Sequence, residues 1–198
     1  MDARGPHMHT SNGQFYYPFC PHPSEVHIEV IAHHLANRSR YAGATQHRKF
    51  FNRIFYSVAE HSVYVARFVR DHLGRPDLVK PALLHDGPEA FNGDLIRPLK
   101  YSKPFREPFK QVEEINEFAI AIRFDLPNPL PPEIKMADNA VLAAELQQIV
   151  PGAECPSKMI VENEEERTPL IAPYEIQMMQ PYDAKMFFLS EWRLIADL

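Results

Sequence analysis

His85 and Asp86 stand side by side at the end of an apolar run, Ala82-Leu83-Leu84, just ahead of Gly87-Pro88. An imidazole nitrogen next to a carboxylate oxygen makes a natural chelate for a divalent metal. A buried carboxylate without a partner is costly, which gives this pair a reason to hold a cation. Two ligands alone would orient an ion poorly. His61 lies about 24 residues earlier and Asp138 about 50 later. Asp138 falls among Ile134, Ala137, Val141 and Leu142, on what reads as a core face of a helix. Four ligands from three helices would leave room for water and substrate, as a catalytic metal site requires.

Each piece taken alone has an ordinary reading. His61 could be a satisfied core histidine, Asp86 a helix cap, and Asp138 a solvent-facing residue. The order His, then His-Asp, then Asp is more specific than any of its parts. The other histidines say less. His33 and His34 are adjacent on a helix, so they point about 100° apart and cannot easily face one ion.

These residues need helices to position them. Ser24 to Arg38 reads as a helix with Ile28, Ile31 and Leu35 on one face. Ser57 and Glu60 have the form of a capping box, opening a helix to about His72 with Val58, Val65, Phe68 and Val69 inward. A short third helix holds Ala82-Leu83-Leu84, with Pro81 in its first turn. A fourth spans Lys110 to Phe124, with Val112, Ile115, Ala119 and Ile122 on one side. Pro131 or Pro132 opens a fifth through Leu146. Tyr182 to Ile195 forms an amphipathic C-terminal helix whose aromatic residues, Tyr182, Phe187, Phe188 and Trp192, read mainly as core. No strand-like alternation runs beyond a few residues, so the class is all-α. Residues 24–198 form a single domain, preceded by a tail over 1–23 whose first eight residues resemble a tag-removal scar.

Composition narrows the partners. The chain has 198 residues, 45% hydrophobic and 24% charged, enough for one core. Its net charge is −5 without a dense basic run, which argues against a nucleic-acid polymer as partner. No apolar run approaches the roughly 20 residues of a membrane span. Cys20 and Cys155 form no disulfide framework, which fits a reducing cytoplasm. The 19 prolines cluster between helices, and the stretch from Pro151 to Pro181 reads as either a lid or a connection.

The set Tyr56-Ser57-Val58-Ala59-Glu60-His61-Ser62-Val63, Ala82-Leu83-Leu84-His85-Asp86, Glu89-Ala90-Phe91-Asn92-Gly93-Asp94-Leu95 and Lys135-Met136-Ala137-Asp138 resembles the HD-domain phosphohydrolases. The resemblance covers roughly Ile28 to Gln148. It is nearest to the compact 5′-deoxynucleotidases and, within them, to small phage dATP triphosphohydrolases. It implies a compact HD-domain helical bundle and a divalent metal (Co, Mn, Zn, Fe or Mg) on His61, His85, Asp86 and Asp138. It also implies catalytic roles for Glu89 and Asp94 in placing water and moving a proton. Arg40 matches a phosphate-binding arginine, with Lys100 and Lys135 as further phosphate cations. Tyr41 and Pro98 are expected to wall the sugar or base. Many relatives carry tryptophan at the Tyr41 position, which leaves base and sugar selection open.

Three functions compete on this reading. The first is metal-dependent hydrolysis of a deoxynucleoside triphosphate, foremost dATP, to deoxynucleoside and triphosphate. The second is a 5′-deoxynucleotidase acting on monophosphates. The third, from another class, is a non-catalytic module that senses a nucleotide, against which Glu89 and Asp94 both argue. The resemblance further implies a homo-oligomer, a hexamer among the options, working in the cytoplasm, the host's for a phage-encoded chain.

Overall fold

The computed structural model describes residues 4–153 and 170–196. Cys155 and most of the Pro151–Pro181 stretch lie outside the described residues, as do positions 1–3 of the expected scar. Among those described, the fold is helical: α1 (Ile28–Ala36), α2 (Val58–Asp71), α3 (Val79–Leu83), α4 (Glu89–Asn92), α5 (Arg97–Lys100), α6 (Lys103–Phe124), α7 (Pro132–Gln148) and α8 (Pro181–Ala196). None of these helices is long and apolar enough to cross a membrane.

The central element is α2. From Val58 to Val69 every residue but Arg67 is buried, and α1, α3, α7 and α8 all pack on it. Ser57 caps it as expected: its hydroxyl accepts the Glu60 amide at 3.1 Å. The Glu60 carboxylate does not turn back to the cap. It is fully buried and accepts the amides of Gln177, Met178 and Met179 at 2.8 to 3.0 Å. A glutamate buried without such donors would be costly, so these bonds tie the segment before α8 to α2. At the far end of α2, Arg67 and Arg70 both reach the buried Glu191 of α8. Phe188 is wholly buried, while Tyr182 is exposed.

Two expectations need correction. Residues 4–23 pack on the helices instead of forming a tail. Met8–His9 and Phe15–Tyr16 pair as a short antiparallel hairpin. Tyr16 is fully buried, stacked on Phe91, and its hydroxyl donates to Asn116 at 2.7 Å. Two-residue strands are too short for alternation to register in sequence. The α6 helix begins at Lys103, seven residues earlier than expected, because Pro104 sits in its first turn, where no amide partner is needed. Its inward face is also different. Asn116, Ala119 and Ile120 are buried, whereas Ile115, Phe118 and Ile122 are exposed. Asn116 turns inward because it meets Tyr16 and the Pro18 carbonyl.

Candidate metal centre and its surroundings

Two helices and one turn converge on a polar cluster. His61 comes from the first turn of α2, where the Ser57 cap fixes the helix start. His85 and Asp86 follow α3 in a tight turn, held by the Gly87 amide on Leu84 O and the Glu89 amide on Asp86 O. Asp138 comes from α7. Asp86 Oδ2 lies 3.3 Å from His85 Nε2 and 3.8 Å from His61 Nε2. Asp138 Oδ1 lies 3.2 Å from His61 Nε2.

The histidine tautomers can be argued from their partners. His85 Nδ1 faces the Ala82 carbonyl at 2.8 Å. A carbonyl only accepts, so Nδ1 carries the proton. His61 Nδ1 faces Glu145 Oε1 at 2.6 Å. Both rings therefore turn Nε2 to the carboxylates, and a neutral ring would offer its lone pair there. Both Nε2 atoms are buried without a hydrogen-bond partner. Imidazole nitrogens fixed from behind by a carboxylate or carbonyl are what a metal site needs. One donor atom each from His61, His85 and Asp86 lies within 4.8 Å of the others, close enough to hold a divalent ion. Asp138 stands at the edge of this trio, because Lys135 Nζ holds its other oxygen at 2.6 Å. A cleft of about 290 Å³, walled by Leu130, Pro131 and Ile134, opens on His85, Asp86, Asp138 and Lys135.

The electrostatics fit a cation at this point. Burial pushes Asp86 up, but His85, His61 and Arg40 outweigh it and hold Asp86 well below the usual carboxylate range. Burial is likewise overcome at Asp138, mainly by His61. Burial disfavours charge on His85, yet Asp86 and Asp138 lift it to about 9. The carboxylates thus draw positive charge onto His85, a demand that a divalent ion would meet directly. Glu89 opens α4, with burial and the charges of Asp86 and Asp94 pushing it up to about 8.

Glu145 was not singled out in the sequence. It is fully buried on α7, seven residues after Asp138 and so on nearly the same face. It accepts from His61 Nδ1, Tyr56 OH at 2.9 Å, Tyr41 OH at 2.6 Å and Arg40 Nε at 3.3 Å. Burial pushes it up, but Arg40 and His61 bring it down to about 2. The one available signal was its spacing from Asp138 on a helix rich in alanine.

The other expected site residues fall into two groups. Arg40 reaches the centre, with Nη1 3.4 Å from Asp86 Oδ2. Tyr41 has a left-handed backbone (φ 55°) that turns its hydroxyl to Glu145. Lys100 pairs with Glu113 at 2.9 Å and Asp94 at 3.5 Å, which places both at the rim near Glu89. Pro98 is exposed on α5, and no described contact joins it to the cluster. Each of the three expected phosphate cations is already paired with a carboxylate. His34 packs as expected for a structural histidine, with Nδ1 on Ala90 O and Nε2 accepting the Ser11 amide.

Comparison with known proteins gives the family. The model of the 5′-deoxynucleotidase YfbR-like family matches residues 45–168. An uncharacterized protein of Rhodobacter capsulatus is 38% identical over 122 residues, covering 61% of this chain and 59% of that protein. The uncharacterized protein YfdR of Escherichia coli is 31% identical over 140 residues, covering 71% of this chain and 70% of that one. The chain thus spans about three fifths of the first relative's length. With more than half of it matched by the family model, this chain belongs to the 5′-deoxynucleotidase YfbR-like family, within the HD superfamily.

Proposed function

We propose that this protein breaks the P–O5′ bond of deoxynucleoside 5′-phosphates, with a divalent metal held by His61, His85, Asp86 and Asp138. The observation that carries this reading is the pair of buried, unpartnered Nε2 atoms facing two ionised carboxylates. When bound, the ion polarises a phosphoryl oxygen and makes water more acidic, from a pKa near 15.7 to roughly 7 to 9.

The chain's own groups then divide the work. Water attacks the phosphorus as the P–O5′ bond breaks, and Asp94 takes its proton. Glu89, pushed up to about 8 by burial and like charge in the metal-free site, gives a proton to the departing O5′ oxygen. Arg40 offers its fork to the phosphate, and Glu145 keeps Arg40, Tyr41 and His61 in register. Tyr41 bounds the sugar side.

The family match supports a monophosphate substrate. One observation favours a longer phosphate chain. Lys135 is mostly exposed at the cleft and bound to Asp138. If Asp138 turns to a cation, the Lys135 ammonium becomes free at the rim for distal phosphates. The second reading is therefore dATP cleaved to deoxyadenosine and triphosphate, with adenine resting on the resemblance to the phage enzymes.

Incubation with each dNMP and dNTP plus Mn²⁺ or Co²⁺, with products separated by chromatography, decides between them. Phosphate from monophosphates supports the first reading, and intact triphosphate from dATP the second. Ligand binding with no turnover under any metal would instead point to a sensing module. Asp138→Ala should lose metal and activity together, and full activity in that variant would sink the ligand assignment.

A further inference from the structure

A cavity of about 650 Å³ lies between the Met8–Tyr16 hairpin, the end of α1 and the turn after it. Thr10, Ser11, Asn37, Arg38, Ser39 and Asp94 are among its walls. Asp94 also meets Lys100, and its charge is felt by Glu89, so the cavity adjoins the metal centre. Of its walls, only Asp94 has a role assigned above.

Arg38 stands out among the arginines. Arg4, Arg40, Arg53, Arg67, Arg70 and Arg75 are partly buried, and each donates to a carboxylate or carbonyl. Arg38 is also partly buried, yet its guanidinium has no hydrogen bond or ion pair among the described residues, and its Nε is buried without a partner. A buried donor left unpaired carries a desolvation cost that a bound acceptor would remove.

The guanidinium has a prepared seat. It lies over Gly93, where an added Cβ would come within 3.0 Å of Nη1. Gly93 also has φ 75°, a backbone conformation that side-chain-bearing residues rarely adopt. Arg38 and Arg40 flank Ser39, which is extended (φ −76°, ψ 135°) and bridged to Ser57. Alternate residues of an extended strand point to one face, with Cα atoms roughly 6 to 7 Å apart. Arg40 reaches Asp86, so Arg38 stands one step further along the same face.

We propose that Arg38 and this cavity form an anion subsite for the distal phosphates of a deoxynucleoside triphosphate. A guanidinium fork fits phosphate oxygens in pairs, and Ser39, Thr10 and Asn37 add neutral polar groups. The inference rests on the reading of the metal centre for turnover, but its binding step stands independently.

The test is calorimetric titration of the full-length, metal-stripped protein with inorganic tripolyphosphate. Wild type should bind. Arg38→Gln should weaken binding about tenfold or more, and Arg38→Lys should restore part of it. With Mn²⁺ added, Arg38→Gln should raise KM for dATP about tenfold while kcat/KM for dAMP stays within about twofold. Equal binding by wild type and Arg38→Gln, or no binding by wild type, overturns the subsite. Equal losses for dAMP and dATP would show a structural role and also overturn it. If wild type hydrolyses no nucleotide, the reading of the centre fails while the titration still decides the subsite. If Arg38→Gln does not fold, Gly93→Ala displaces the same guanidinium, and unchanged tripolyphosphate binding in that variant refutes the proposal.

Discussion

Glu145→Gln is the substitution with the most to say about how the centre is held. The change keeps the size of the side chain and removes its charge. Glu145 accepts from four donors: His61 Nδ1, Tyr41 OH, Tyr56 OH and Arg40. A glutamine has one acceptor oxygen and an NH₂ that donates, so some of these donors must lose their acceptor. Hydrogen bonds to a charged group contribute about 1.5 to 3 kcal/mol each. Breaking a buried ion pair from one side costs roughly 3 to 5 kcal/mol. Tyr reorientation and partial solvation of Arg40 offset part of this, so a net loss of about 3 kcal/mol is expected. For a chain of this size that lowers Tm by about 6 to 12 °C. The loss of the acceptor behind His61 should also weaken metal binding about 10- to 100-fold. Differential scanning calorimetry and Mn²⁺ titration read the two effects separately. Wild-type Tm together with wild-type metal affinity would refute the argument that Glu145 orients His61.

Three further outcomes follow from the same geometry. Lys135→Ala removes an exposed pair, so stability should change by less than about 1 kcal/mol, while KM for dATP should rise relative to dAMP. Equal KM changes for both would count against Lys135 as a cation for distal phosphates. Glu89 has a folded pKa near 8, above that of an unfolded carboxyl, so its burial destabilises the metal-free fold as pH rises from about 4.5 toward 8. Glu89→Gln should therefore gain thermal stability over wild type across that window and lose activity about 10²- to 10⁴-fold. A melting curve whose pH dependence is unchanged by the substitution would contradict this sign. Glu191→Gln should loosen α8 from α2 by leaving Arg67 and Arg70 with a weaker acceptor, seen as faster amide exchange in α8. Unchanged exchange would show that the apolar contacts of Phe188 suffice.

Much of the site was legible because its signals are local. Ser57 announces the start of α2, which fixes where His61 stands. The apolar run before His85-Asp86 marks the end of a buried helix, and Asp138 is conspicuous among Ile134, Ala137 and Val141. Glu145 was hidden because α7 is alanine-rich, so no strong apolar stripe sets its phase and an inward glutamate looks ordinary. Glu60 looked like half of a capping box, whereas its carboxylate serves backbone more than 110 residues away. Such non-local partners leave no periodic trace. The inward turn of α6 depends on Asn116 finding Tyr16, 100 residues earlier, whereas helix periodicity alone put Ile115 and Ile122 inward beside Ala119.

The central claim is that a metal held by His61, His85, Asp86 and Asp138 drives hydrolysis of a deoxynucleotide. The most direct measurement is a titration of Mn²⁺ into chelator-stripped protein, following bound ion and deoxyadenosine release from dAMP and dATP in the same samples. No product should form without metal, and deoxyadenosine should rise in proportion to the ion bound. Deoxyadenosine released at an undiminished rate in the stripped protein, or ion bound with no product from either nucleotide, would contradict the claim.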